Sequence, residues 1–246
     1  MIVISFLYIL IFIFGLIWGS FINMAVFRVK AEIDFLGRSF CDYTKKTLNV
    51  LDLIPVLSFI IYRGKCRHCK KELPLLYPIV EIITGILFMM ILHYLLLQGY
   101  DFVWTILYAL VIVIYVLFFV FFAVYDYLYW EVNVKAIKIA LVYAVAITFV
   151  LIVIQSNFVN IWSILSGIIA GLVIFIIVRL TKGSGMGEGD IYLMSFAGIF
   201  VGLSGLIPLF MISSVSGSIV GIIKALKVKK LHGVQIQFVP FISFAT

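Results

Sequence analysis

Apolar residues run along this chain in long blocks separated by short polar breaks, and the lengths of the blocks predict the architecture. Residues 2–26 carry no charge, and further apolar runs follow at about 76–97, 102–124, 135–154, 160–180, 191–203 and 205–223. An α-helix needs roughly 20 apolar residues to cross the hydrocarbon core of a bilayer. The pattern therefore predicts an all-α polytopic membrane protein with about seven transmembrane helices. The run at 191–203 is short for a span, so it and its successor are expected to form a bent or broken pair. Residues 27–75 are the one soluble-looking stretch. The expected division is a first transmembrane helix at 1–26, a small module at 27–75 and a transmembrane core at 76–246.

Composition agrees with that class. The chain is 65% hydrophobic and 12% charged, with a mean hydropathy of +1.27, whereas soluble domains have roughly a quarter charged residues. A net charge of +7 could suggest a nucleic-acid partner, but the positions of the charges argue otherwise. The first apolar run is followed, not preceded, by basic residues (Arg28, Lys30), which is unlike a cleaved secretory signal and places the N-terminus outside. The breaks at 125–138, 179–190 and 224–237 then face the cytoplasm, as does the 27–75 module. They hold Lys135 and Lys138; Arg179 and Lys182; and Lys224, Lys227, Lys229 and Lys230, and the rest of the eighteen Lys and Arg lie in the module. The outer connections near 98–101 and 155–159 have none. The positive-inside rule explains the basic excess, so no nucleic acid is expected, and lipid surrounds the helices. Gly15 and Gly19 fall on one face of the first helix, where small residues let a second helix pack closely. The sequence does not set an oligomeric state.

Small modules of 40 to 50 residues usually need a metal, a disulfide or outside support. This one holds all the cysteines, Cys41, Cys66 and Cys69. The Cys66-Arg67-His68-Cys69 spacing is that of a zinc knuckle, and a closed structural site needs four ligands. Three thiols fall one short, with His68 or Asp42 able to complete the set. Reduced free thiols or a redox pair are the other readings, in keeping with a reducing cytoplasm. Asp52-Leu53-Ile54-Pro55 and Gly64 mark turns.

The stretch Lys182-Gly183-Ser184-Gly185-Met186-Gly187-Glu188-Gly189-Asp190 lies between two apolar runs. A carboxylate at a membrane boundary is expensive to desolvate and marks a functional candidate. Asp190 could merely cap a helix that begins at Ile191. Its proposed partner is Asp126, at the end of a helix descending to the face from which the Asp190 helix departs. Both should therefore share one membrane depth. Two aspartates around one water can divide labour, one ionised as general base and one protonated as acid. Gly187 and Gly189, with Glu188 between them, would let a substrate backbone approach and could adopt positive φ. Glu81 and Glu131 lie near helix ends and are expected to be solvated or ion-paired.

The same residues carry a resemblance. Gly15-Leu16-Ile17-Trp18-Gly19-Ser20-Phe21-Ile22-Asn23 through Arg28, then Asp52-Leu53-Ile54-Pro55, Gly64-Lys65-Cys66-Arg67-His68-Cys69, Tyr77-Pro78-Ile79-Val80-Glu81, Asp126 and Gly185-Met186-Gly187-Glu188-Gly189-Asp190 are similar, in order, to the blocks of type IV prepilin peptidases. These are membrane aspartic proteases with a Gly-x-Gly-Asp signature. The resemblance implies that Asp126 and Asp190 cleave the basic leader of type IV prepilins or pseudopilins at the cytoplasmic face of the bacterial inner membrane. It also implies N-methylation of the new N-terminus with S-adenosylmethionine, and a structural zinc at Cys41, Cys66 and Cys69. The chain departs from the family at Cys41-Asp42-Tyr43-Thr44, where a second thiol is missing, and at Tyr192, where the family has Lys. Gln237-Phe238-Val239-Pro240-Phe241 keeps one proline of a Pro-Phe-Gly-Pro-Phe block. The family's last helix is expected to be cut short at Thr246.

Two other readings fit these residues less well. A proton-coupled transporter could use paired carboxylates as a relay, but nearer the bilayer midplane and often within internal repeats. A phosphate cradle built on Gly185, Gly187 and Gly189 lacks the preceding strand, and Glu188 and Asp190 would repel a phosphate.

Overall fold

The apolar blocks become helices. The structure, a computed structural model, describes residues 2–35, 37–41, 44, 46–155, 161–182, 186–228 and 236–246. In chain order these form α1 (Ile2–Ala31), a 3-10 turn (Val50–Leu53), α2 (Leu57–Ile61), α3 (Leu76–Gln98), α4 (Phe102–Tyr129), α5 (Val134–Gln155), α6 (Ile161–Leu180), α7 (Glu188–Val228) and α8 (Val239–Ala245). Among the described residues, six helices are long and apolar enough to span a membrane. Seven apolar runs give six helices because the last two are joined. α7 is 41 residues long and is interrupted at Gly202, whose φ of 69° and ψ of −178° leave the helical region. Glycine reaches that conformation at little steric cost. A straight helix of this length would run about 60 Å, twice the hydrocarbon core, so the break is where the two predicted runs part.

Chain contacts divide the protein into two compact units, Met1–Phe121 and Phe122–Thr246, with the division inside α4. In the first unit α1 and α3 pack at backbone distance. A Cβ on Gly15 would stand 2.7 Å from Gly85 Cα, and one on Gly19 would stand 2.6 Å from Glu81 Cα. Both glycines are therefore required by the contact, as small residues are where helices meet in lipid.

The short module that follows α1 is held by one buried cation. α1 continues past the predicted boundary through Ala31, so Arg28 is still helical, and it is only 3% exposed. Its guanidinium donates to the carbonyls of Asp34 (2.7 Å), Phe35 (2.7 Å), Gly37 (3.1 Å) and Arg38 (3.3 Å). A planar fork of donors can serve several acceptors at once, and here it folds the chain back on α1. Beyond it lie two tight antiparallel turns, bridged at Phe40 and Thr47 and at Lys65 and Glu72. The first carries Cys41 and the second carries Cys66 and Cys69.

In the second unit α6 and α7 meet through small residues. A Cβ on Gly198 would lie 2.9 Å from Gly167 Cα, and Ser166 Oγ donates to Gly198 O at 2.6 Å. Leu193, Met194, Phe196 and Ala197 have no exposed surface. Phe196 meets Phe122 of α4 edge to face, with centroids 6.3 Å apart. This packing fixes the end of α4 against the first turns of α7.

Candidate active site

The end of α4 and the start of α7 each bring one buried carboxylate to the second unit. Asp126 is 6% exposed and Asp190 is 8% exposed. Asp126 sits one helical turn beyond Phe122, so the contact between Phe122 and Phe196 orients it toward α7. The two carboxylates are close enough for the charge of Asp190 to act on Asp126. The Val239 backbone N–H, at the start of α8, donates to the Asp126 side chain. Asp126 Oδ2 is buried without a hydrogen-bond partner. Buried polar atoms are almost always paired, and an orphaned carboxylate oxygen marks a candidate for function.

The surrounding backbone is pinned by groups that sequence patterns did not reveal. Gln237 Nε2 donates to the carbonyls of Asp126 (2.6 Å) and Tyr127 (2.9 Å). The Asp126 carbonyl also accepts from Trp130 N at 2.8 Å, and Lys224 Nζ lies 4.8 Å from the centroid of the Trp130 ring. The ends of α4 and α7 and the start of α8 thus gather at the carboxylates. Gln237 could be noticed in sequence only as the first residue of the degenerate Pro-Phe block.

Asp190 is not the N-cap of a helix starting at Ile191. The helix starts at Glu188, and Asp190 occupies its third position. Its Oδ2 accepts the Gly187 N–H at 3.0 Å, while its own N–H donates to Gly187 O at 3.1 Å. This is one half of a capping box: the carboxylate at the third helical position reaches back to the N–H of the residue before the helix, and Gly187 has no side chain to return the bond. The contact holds Oδ2 in place and orients the carboxylate.

The two nearby glycines differ. Neither Gly187 nor Gly189 has a positive φ, so the expected conformational reason does not apply. A Cβ on Gly187 would meet nothing nearer than Asp190 Oδ2 at 3.9 Å, and both Gly187 and Glu188 are exposed. Gly189, in contrast, packs against Val132 in the turn after α4, where a Cβ would lie 2.7 Å from Val132 Cβ. Gly183, Ser184 and Gly185 lie outside the described residues, as does Asp42.

Glu81 corrects the expectation of a solvated or ion-paired acid. It is 7% exposed and accepts the Val56 N–H at 2.7 Å, because the close approach of α1 at Gly19 removes it from solvent. Glu131 is exposed and accepts from Tyr125 OH at 3.1 Å.

The thiols of the first unit converge. Cys41, Cys66 and Cys69 place their sulfurs within 4.8 Å of one another, with Cys41 Sγ 3.6 Å from Cys69 Sγ and 3.5 Å from Cys66 Sγ. Zn–S bonds of about 2.3 Å in a tetrahedron put sulfurs roughly 3.8 Å apart, so the three sulfurs fit three corners of such a site. His68 does not supply the fourth corner. Its Nε2 lies 3.8 Å from Asp52 Oδ2, so the ring is turned to Asp52 and not into the thiol group.

Comparison with known proteins finds two family matches and several relatives. The Bacterial Peptidase A24 N-terminal domain matches residues 13–95, and the Type IV leader peptidase family matches residues 113–222. The chain is 25% identical over 259 residues to the prepilin leader peptidase/N-methyltransferase of Neisseria gonorrhoeae, covering 93% of this chain and 84% of that protein. It is 26% identical over 268 residues to the protein of the same name from Legionella pneumophila, covering 96% of this chain and 88% of the relative. Similarity to the Bacillus subtilis protein of that name is higher, 40% over 80 residues, but spans 32% of each chain. No solved structure matches.

Proposed function

Because the chain belongs to the type IV leader peptidase family, we propose that it is an aspartic endopeptidase that removes the basic leader from type IV prepilins or pseudopilins. The single observation that carries the reading is the pair of buried carboxylates, Asp126 and Asp190, in electrostatic reach of each other with Asp126 Oδ2 unpartnered.

The chemistry follows from the pair. One carboxylate takes a proton from a water as the water oxygen attacks the scissile carbonyl carbon, and its protonated partner donates to the carbonyl oxygen. Collapse of the tetrahedral species breaks the C–N bond, and the leaving amine takes up the proton gained from water. Glu188, exposed beside Asp190, offers negative charge to a basic leader, and Gly187 leaves backbone open to a substrate chain. Gly189 serves the same site by allowing the close approach of Val132.

The site works at the cytoplasmic face of the bacterial inner membrane, on the charge distribution of the connections. A cysteine replacing Asp101, in the turn before α4, should react with an impermeant reagent in intact cells, and one replacing Lys227 should not. On the names of the relatives, the chain also N-methylates the new N-terminus, with S-adenosylmethionine as donor. The three thiols fit a structural zinc that braces the turns bearing them and takes no part in hydrolysis.

The test is incubation of the detergent-solubilised protein with a leader-bearing prepilin, read by mass spectrometry. Wild type should release the leader, whereas Asp126→Asn and Asp190→Asn should not. Full cleavage by either folded variant would overturn the assignment, and it would leave a proton relay as the use of the pair.

A further inference from the structure

The last four carbonyls of an α-helix have no partner within the helix, and in α4 they belong to residues 126–129. Two of them are served by one side chain. Gln237 Nε2 donates to Asp126 O at 2.6 Å and to Tyr127 O at 2.9 Å, so both N–H groups of a single amide nitrogen are spent on α4. The Asp126 carbonyl accepts from Trp130 N as well, at 2.8 Å. The bond to Tyr127 is exposed, where water can replace it, whereas the bond to Asp126 is part-buried.

The amide is presented by a segment that is itself held. The residues on either side of it lie against α7: a Cβ on Gly221 would stand 3.7 Å from Ile236 Cδ1, and one on Gly217 would stand 3.3 Å from Phe238 Cε2. Val239 and Ile242, which follow, are buried. Two residues past Gln237, the Val239 N–H reaches the carboxyl group of Asp126 itself. Residues 236–239 therefore grip Asp126 twice, by its carbonyl and by its carboxyl group, while resting on α7, the helix that carries Asp190. In the Pro-Phe-Gly-Pro-Phe block that residues 237–241 resemble, the first position is proline, which has no side-chain donor. The paired bonds to α4 are thus a device of this chain's glutamine.

We propose that Gln237 is a positioning residue for leader cleavage: by tying the Asp126 and Tyr127 carbonyls to the segment that supplies the Val239 N–H, it sets where the Asp126 carboxyl group stands relative to Asp190. The proposal rests on the reading of the pair as an aspartic peptidase. Gln237 touches no reacting atom and moves no proton; its part is geometric. Without its amide the end of α4 can shift under the carboxyl group, and the unpaired Oδ2 of Asp126 loses its fixed place. A displacement of about 1 Å in a catalytic group can cost on the order of a hundredfold in rate. Such a loss is felt in the transition state and not in the binding of substrate, so it lowers kcat and leaves KM.

The test compares substitutions in the full chain in detergent, with kcat and KM for a leader-bearing prepilin followed by mass spectrometry. Gln237→Met keeps the length of the side chain and removes its donors, so kcat should fall about ten- to a hundredfold with KM near the wild-type value. Gln237→Lys keeps donors on a side chain of similar reach and should retain much of the rate. Gln237→Asn, whose amide stands one methylene short, should fall toward the methionine variant and is read in its place if that variant does not fold. Hydrogen exchange supplies a readout apart from activity: in the methionine variant the Trp130 N–H, which shares the Asp126 carbonyl, should exchange faster while amides at 105–120 keep their protection. Faster exchange along the whole of α4 would overturn the positioning role as a general loss of stability. Wild-type kinetics in the methionine variant, or a raised KM at unchanged kcat, would also overturn it and leave the peptidase reading standing. Equal losses in the lysine and methionine variants would do the same, by showing that the shape of the side chain matters and its donors do not. Absence of cleavage by folded wild type would defeat the peptidase reading itself, and the proposal with it.

Discussion

Gly189 and Val132 touch so closely that a Cβ on the glycine would stand 2.7 Å from the valine Cβ and 3.1 Å from its Cγ2. Real Cβ atoms do not approach so near. Asp190 immediately follows Gly189, and Val132 follows Asp126 by six residues, so this contact governs how closely the two carboxylates can sit.

Replacing Gly189 with Ala should therefore impair leader cleavage by displacing Asp190. Overpacking of this kind typically costs about 1–3 kcal/mol. The discriminating measurement is rescue: Val132→Ala in the Gly189→Ala background should restore a large share of the rate. If Gly189 instead served only to contact substrate, the second substitution would not help.

Asp126 and Asp190 should behave as one unit. Acid–base groups contribute about a hundred- to ten-thousand-fold to rate, and each Asn substitution should lose that factor. The double variant should be no worse than either single one, because residues that act together are not additive. The rate should follow a bell-shaped pH profile whose two apparent constants belong to the pair. Additive losses in the double variant would show two independent roles.

The thiol cluster leads to a metal prediction. Elemental analysis of the purified protein should find at most about one zinc per chain, since a closed site takes four ligands. Cys66→Ser should lose it. Chelation should loosen the two turns, detected as faster proteolysis within residues 38–73, and leave cleavage by the aspartates intact. Loss of cleavage on chelation with the fold preserved would contradict the separation of roles.

Arg28→Met should free the segment it gathers. Hydrogen bonds to a charged group contribute about 1.5–3 kcal/mol, but the carbonyls it serves belong to exposed residues, and water can replace part of the loss. We expect early proteolytic nicking between residues 32 and 39 with the helices intact. Arg28→Lys should give an intermediate rate, since an ammonium cannot span four carbonyls with the geometry of a guanidinium.

What could be read along the chain were properties summed over neighbours. Apolar block lengths marked the helices, basic residues were confined to alternate breaks, and the placement of Asp126 and Asp190 at ends of helices predicted a shared depth. Gly15 and Gly19 were legible as a packing face because a helix repeats every 3.6 residues. The cysteines were legible as a group, though not their geometry.

The rest depended on segments far apart in sequence meeting in space. Only tertiary structure gave Gly189 its neighbour Val132, turned His68 toward Asp52, and used Gln237 to pin the carbonyls beside Asp126. It also buried Glu81 against α1 and left Asn23 and Asp52 with unpaired oxygens around a cavity. Hydropathy and periodicity are local and nearly additive, so a sequence carries them openly. A hydrogen bond left unmade, or a contact too tight for a Cβ, exists only once the chain has converged, and no single stretch of residues encodes it.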